Sequence, residues 1–166
     1  MEELILGIDP GTIVSGYGLI KVVGRNYEAV DYGCIRPPAN NKISDRYLII
    51  FNGVEELLER YRPDVVVVET QYVHKNVQSA IKLGMARGVA MIAAKRRGIP
   101  VFEYGPTKAK RAVVGNGAAS KSQVQGMVTM LLGLKELATP HDAADALALA
   151  ICHAQTPSHL RPSKEM

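Results

Sequence analysis

Four acidic residues occupy positions where a folded chain would gather them. Asp9 closes the apolar run that begins at Leu4, Glu69 closes Val65-Val66-Val67-Val68, and Asp142 and Asp145 stand three apart in the alanine-rich stretch after Pro140. A spacing of three puts the last two on one helical face. Taken singly, each has a plain structural explanation: Asp9 before Pro10-Gly11 suits a turn, and Asp142 near a helix start offsets the helix dipole. Taken together, they conflict. Two carboxylates about 4 Å apart repel by ~4 kcal/mol at an effective dielectric of 20, a large fraction of a domain stability of roughly 5 to 15 kcal/mol. A divalent cation removes the conflict, and all-oxygen ligands favour Mg²⁺ or Mn²⁺ over zinc. Mg²⁺ combines a few carboxylates with phosphate oxygens and water, so the chemistry implied is phosphoryl transfer. Two such ions roughly 3.5 to 4 Å apart activate water on one side of a phosphodiester and stabilise the leaving oxygen on the other. No serine or histidine nucleophile is then required.

Basic and aromatic residues surround these acids in sequence. Gly115-Asn116-Gly117-Ala118-Ala119 runs into Ser120-Lys121-Ser122-Gln123, where Ser120 and Gln123 have capping-box spacing. Free amides at such a helix start suit a phosphate. Lys108, Lys110, Arg111 and Lys121 bracket the segment as candidate phosphate contacts, with solvated surface charge as the alternative. Tyr72, three past Glu69, is placed either to stack on an unpaired base or to hydrogen-bond within the fold. His74 and His141 each neighbour an acidic position and read as surface imidazoles rather than catalytic bases, with His141 near enough to support the metal ligands. Lys95-Arg96-Arg97 closes a helix, where positive charge is favoured in any case.

Strands and helices must carry these groups. Leu4 to Asp9 reads as a buried strand, and Gly16 to Val23 with Tyr27 to Ile35, separated by Gly24-Arg25-Asn26, as a hairpin. Ser44 is placed to cap a helix on which Tyr47, Phe51, Val54, Leu58 and Tyr61 share one face. Val65 to Val68 has the unbroken apolar character of a strand covered on both sides. A helix near 76–97, a strand from Ile99 to Tyr104 and helices near 107–114 and 120–132 follow; the last helix opens at Thr139-Pro140, with Thr139 as its N-cap. Ala143, Ala146 and Ala150 flank the acids of that helix, so it can approach a sheet closely.

With 47% hydrophobic and 22% charged residues, the 166-residue chain has a globular composition. Its length suits one domain over 1–155, followed by a loose polar tail over 156–166. The 20 Lys and Arg outnumber the 16 Asp and Glu, leaving a net charge of +4 that permits a polyanionic partner. Cys34 and Cys152 lie too far apart for a zinc site or a disulfide framework, which points to a reducing cytoplasm. The acidic start Met1-Glu2-Glu3 lacks the character of an export signal, and no run approaches the roughly 18 apolar residues of a membrane span. No membrane partner is expected.

In order along the chain stand Leu6-Gly7-Ile8-Asp9-Pro10-Gly11, Ser15-Gly16-Tyr17-Gly18, Val68-Glu69, Ser79-Ala80-Ile81-Lys82-Leu83-Gly84, Ala86-Arg87-Gly88, Gly115-Asn116-Gly117, Lys121-Ser122-Gln123-Val124 and Asp142-Ala143-Ala144-Asp145-Ala146-Leu147-Ala148. Together, from about Leu4 to His153, they closely resemble the RuvC family of bacterial Holliday-junction resolvases. The resemblance implies an α/β, ribonuclease-H-like fold with a mixed five-stranded sheet flanked by helices. It also implies an endonuclease of recombination and repair, acting as a homodimer that cuts two strands of like polarity in a four-way DNA junction and leaves ligatable nicked duplexes. By the same comparison Asp9, Glu69, Asp142 and Asp145 are its catalytic, metal-binding carboxylates, holding two Mg²⁺ per site with Mn²⁺ as a substitute. Lys110 and Lys121 match lysines near the scissile DNA, Lys121 within the catalytic set. Tyr72 stands where the family commonly has a Phe that disrupts pairing at the junction centre. A branch-migration helicase complex is the implied working partner. Thr70-Gln71 departs from the residues usual after the family's glutamate.

Two other readings compete. Gly7-Ile8-Asp9-Pro10-Gly11-Thr12 also resembles the first phosphate motif of actin-like and sugar-kinase ATPases, but those close two lobes around ATP and this length suits one domain. A junction-binding module without catalysis has no use for four acids beside DNA phosphates. Junction cleavage without ATP separates the nuclease from the ATPase.

Overall fold

A computed structural model describes residues 1–70 and 76–162. The chain runs β1 (Glu2–Asp9), β2 (Ser15–Val23), β3 (Asn26–Ile35), α1 (Ile43–Tyr61), β4 (Val65–Glu69), α2 (Val77–Arg96), β5 (Val101–Tyr104), α3 (Pro106–Val114), α4 (Lys121–Leu131) and α5 (His141–Gln155). One mixed sheet has the order β3-β2-β1-β4-β5. The first three strands pair antiparallel, while β4 runs parallel to β1 and β5 parallel to β4. This is the five-stranded, helix-flanked, ribonuclease-H-like arrangement that the sequence motifs imply.

Successive strand side chains face opposite ways, so each central strand serves two apolar layers. Ile5, Ile20, Val65 and Val67 pack with residues of α3, α4 and α5, whereas Leu6, Ile8, Leu19, Val66 and Val68 pack with those of α1 and α2. The run Val65–Val68 has no polar position because both of its faces are covered. Asp9 is in phase with Ile5 and Gly7, and Glu69 with Val65 and Val67. Both carboxylates therefore emerge at strand ends on the face that α5 covers.

Small residues on both sides let α5 press against that face. A Cβ at Gly7 would run into the Ala146 carbonyl oxygen and lie 3.2 Å from the Ala150 amide nitrogen, and one at Gly16 would strike the Asp142 carbonyl. Ala146 and Ala150 are fully buried. The alanines make the helix side of the contact thin, and the glycines do the same for the sheet.

Two helix starts differ from their sequence signals. Ser44 lies inside α1; Lys42 is the extended N-cap, and its carbonyl accepts from the Arg46 amide at 3.0 Å. Pro140, not Thr139, caps α5, because its carbonyl accepts from the amides of Ala143 at 3.0 Å and Ala144 at 3.2 Å. The Ser120 box forms as spaced, with the Gln123 amide donating to Ser120 Oγ at 3.1 Å and the Ser120 amide to Gln123 Oε1 at 2.8 Å. After α5, Ser158–Leu160 make a 3-10 turn, and Arg161 donates Nη1 and Nη2 to the Glu3 carboxylate at 3.0 and 3.1 Å, tying this segment to β1. No helix among the described residues is long and apolar enough to cross a membrane.

Gly16→Ala places a methyl group against helix backbone that has no side-chain freedom to yield. The expected cost is about 1–3 kcal/mol, read as a lower urea midpoint at unchanged slope. An unaltered midpoint would mean that α5 does not bear on β2 at this point.

Candidate active site

Strand register brings the first two acids together. Asp9, the last residue of β1, pairs with Gly16 of β2, and Gly16 in turn abuts the Asp142 backbone. On the other side of β1, Ile8 is in register with Val68, so Glu69 follows one step later on the neighbouring parallel strand. Asp145 lies one turn along α5 from Asp142. All four acids line one cleft of about 340 Å³, together with Lys110 of α3 and Lys121 of α4. The carboxyl ends of parallel strands are the usual ligand position of open α/β sheets. Val14, Ala109, Val124 and Ala148 supply apolar walls that sequence reasoning missed. Nothing in those residue types separates a cleft wall from ordinary core.

The acids sit uneasily together. Burial pushes the Asp9 carboxyl up from 3.8 to about 8, with Glu69, Asp145 and Asp142 adding to the shift and Lys121 opposing it. Asp145 is also raised, again chiefly by burial, with Lys121 opposing and Asp142 reinforcing. A buried carboxylate that faces other carboxylates is costly to ionise, and the lysines offset only part of that cost. Oxygen donors of this kind fit a hard divalent cation. Among the described residues, no group of three or more His, Cys, Asp or Glu side chains is set to hold an ion by itself. A cation held here would therefore take one or two of these carboxylates and need water or substrate oxygens for the rest of its shell. The residues fit an open site that substrate would complete.

Of the basic residues around the glycine segment, Lys110 and Lys121 reach the cleft and the other two do not. Lys108 sits 4.8 Å over the Tyr104 ring, and Arg111 is exposed beside Gly117. The segment is not an open cradle of amides either. Ala118 N donates to Asn116 Oδ1 at 2.9 Å, Ala119 N to Asn116 O at 3.2 Å, and the Ser120 and Gln123 amides are held in the capping box. Its contribution is to start α4 where Lys121 meets the acids. His141, expected at the surface, is half-buried, with Nδ1 shielded and without a hydrogen-bond partner among the described residues. Tyr72 and His74 lie outside the described residues.

The family model described as Crossover junction endodeoxyribonuclease RuvC matches residues 5–153. The chain belongs to the RuvC family. A crossover junction endodeoxyribonuclease RuvC of Protochlamydia amoebophila (strain UWE25) is 67% identical over 156 residues, covering 94% of this chain and 93% of the relative. The RuvC of Chlamydia felis (strain Fe/C-56) is 55% identical over 162 residues, 96% of each chain. Among solved structures, T. thermophilus RuvC in complex with Holliday junction substrate matches at a TM-score of 0.86 and 37% identity, over 92% of this chain and 93% of that one. The RuvC match spans every residue that lines the cleft.

Without a cation, the folded RuvC chain keeps a proton on Asp9 up to about pH 8, whereas the unfolded chain releases it near 3.8. The folded state holds the extra proton between those values, so this group makes stability fall as pH rises. His153, buried and lowered to about 3, acts in the opposite sense, but only below its ordinary value of 6.5. Between pH 6.5 and 8 the metal-free protein is therefore expected to lose melting temperature, Mg²⁺ to restore it, and Asp9→Asn to flatten the slope. A metal-free melting temperature that climbs across this interval would contradict the burial of Asp9 among other carboxylates.

Proposed function

We propose that this chain is a metal-dependent endodeoxyribonuclease that resolves four-way DNA junctions, hydrolysing two strands of like polarity through the paired sites of a homodimer. The observation that carries this reading is the convergence of Asp9, Glu69, Asp142 and Asp145 with Lys110 and Lys121 in one cleft of a RuvC-family fold. The names of the relatives and the junction bound in the T. thermophilus structure support the substrate. Among the described residues that line the cleft there is no serine, threonine, cysteine, tyrosine or histidine, which fits direct attack by water.

Asp9, Glu69, Asp142 and Asp145 are the proposed ligands of two Mg²⁺ ions, with Mn²⁺ able to substitute. When bound, such ions polarise the phosphoryl oxygens and bring the pKa of a nucleophilic water toward neutrality. The protein's own part is positional and electrostatic. Asp9 would hold a cation as the carboxylate, its proton passing to solvent when the ion's charge offsets the burial and the neighbouring acids that otherwise retain it. Lys121, which already opposes the negative field at Asp9 and Asp145, steadies the charge that builds on the phosphoryl group. Lys110 holds the adjoining backbone from the α3 side. Tyr72 is proposed to stack on an unpaired base at the junction centre.

For the dimer, α2 offers a face. Val77, Ile81, Met85 and Ile92 are exposed, and the positions where Gly84 and Gly88 lack a Cβ meet open space. At 3.6 residues per turn these residues share one side of the helix, where a second copy can pack closely. A cytoplasmic branch-migration helicase complex is the proposed source of the junctions.

Asp9→Asn is expected to slow Mg²⁺-dependent cleavage of a labelled immobile four-way junction by roughly 10²-fold or more, while junction binding persists. Lys121→Ala should slow cleavage as well. Wild-type cleavage by Asp9→Asn would remove this carboxylate from the ligand set, and ATP hydrolysis without DNA would overturn the nuclease reading.

A further inference from the structure

The connection from α4 to α5 is fastened at one residue, Ala138, which is fully buried. Its amide donates to Thr129 Oγ1 at 2.9 Å, and its carbonyl accepts from Gln125 Nε2 at 2.6 Å. The Thr129 hydroxyl in turn donates to Gln125 O at 2.7 Å, so its proton is committed and a lone pair faces Ala138. Gln125 is only 5% exposed. Two side chains of α4 thus take both backbone polar groups of one residue on the way into α5. Phosphodiester hydrolysis at the carboxylates makes no direct use of either.

Spacing along α4 links this clasp to the catalytic cleft. Lys121, Gln125 and Thr129 follow one another at intervals of four and form one stripe on the helix. The same stripe therefore brings Lys121 to the acids and the clasp to the entry of α5. Ala138 stands two residues before Pro140, whose carbonyl accepts from the Ala143 and Ala144 amides, and four before Asp142. The ring of Pro140 fixes its φ, here −74°, and leaves this segment few ways to yield. On the other side, the Asp142 carbonyl lies where a Cβ at Gly16 would be. The first turn of α5 is thus set between β2 and the clasp. Its acids and Asp9 repel one another, which pushes that turn away from the sheet. A buried clasp of neutral groups resists the push without adding charge.

We infer that Gln125 and Thr129 are positioning residues for the metal site: by clasping Ala138 they hold the first turn of α5, and with it Asp142 and Asp145, at the spacing from Asp9 and Glu69 that a hard cation requires. The inference rests on the nuclease reading above. Neither side chain lines the cleft, so both act through the backbone rather than on substrate or ion. Undoing the clasp leaves a buried backbone group of Ala138 without its partner, a costly state, and the entry to α5 must shift to reach water.

Thr129→Val and Gln125→Met remove the polar atoms of the clasp at nearly constant shape, and Thr129→Ser keeps the hydroxyl. For these and the wild type, Mn²⁺ binding to the full chain is followed by electron paramagnetic resonance. Cleavage of a labelled immobile four-way junction is titrated with Mg²⁺ at a temperature well below every melting midpoint. Thr129→Val and Gln125→Met are each expected to weaken Mn²⁺ binding about tenfold, the low end of what groups supporting a metal's ligands contribute. The Mg²⁺ concentration for half-maximal cleavage should rise by a similar factor, with the rate at saturating Mg²⁺ retained. Thr129→Ser should match the wild type. A purely structural clasp would lower the melting temperature and leave metal dependence alone. Variants that melt earlier yet keep wild-type Mn²⁺ affinity and Mg²⁺ dependence therefore overturn the positioning role, as does an equal loss in Thr129→Ser and Thr129→Val; in both cases a wild type that cleaves keeps the nuclease reading. A wild type that neither binds Mn²⁺ nor cleaves the junction overturns both.

Discussion

Like charges gather only where the backbone compels them to, and here the compulsion comes from α5 lying directly on β1 and β2. Gly7 and Gly16 offer the helix no side chain to stand on, so the Ala146 and Asp142 carbonyls come down to the sheet itself. Asp142 is thereby delivered beside the end of β1, where Asp9 already neighbours Glu69 across the parallel pair. The cost appears at Asp9, where burial first and the neighbouring carboxylates second push the carboxyl up to about 8. A cation is the simplest relief, and the substrate phosphate that completes its shell is also the group to be cut.

Much of this was legible in the sequence because the signals were local. Asp9 and Glu69 mark the ends of apolar runs too short and too β-branched for helices, and Asp142 and Asp145 share a face by spacing alone. The Ser120 capping box is an interaction within one turn and formed as spaced. The starts of α1 and α5 lie one or two residues from their side-chain signals because capping depends on which carbonyl the first helical amides reach, and Lys42 and Pro140 fill that role with backbone alone.

Other features depended on three-dimensional context. Lys108 and Lys110 are two apart on α3 and so face different ways; one settles on Tyr104 and the other reaches the acids. Sequence shows both as lysines near a glycine loop. The glycine segment itself gave a false signal of open amides, since Asn116 and the capping box satisfy several of them. The apolar cleft walls join residues far apart in the chain, and no short window contains them.

The most direct test of the central claim is anomalous diffraction from crystals soaked in Mn²⁺. The prediction is density in the cleft about 2.1 Å from an oxygen of Asp9 and bonded to at least one of Glu69, Asp142 and Asp145. Mn²⁺ bound only elsewhere, in a protein that cleaves junctions with that ion, would contradict it.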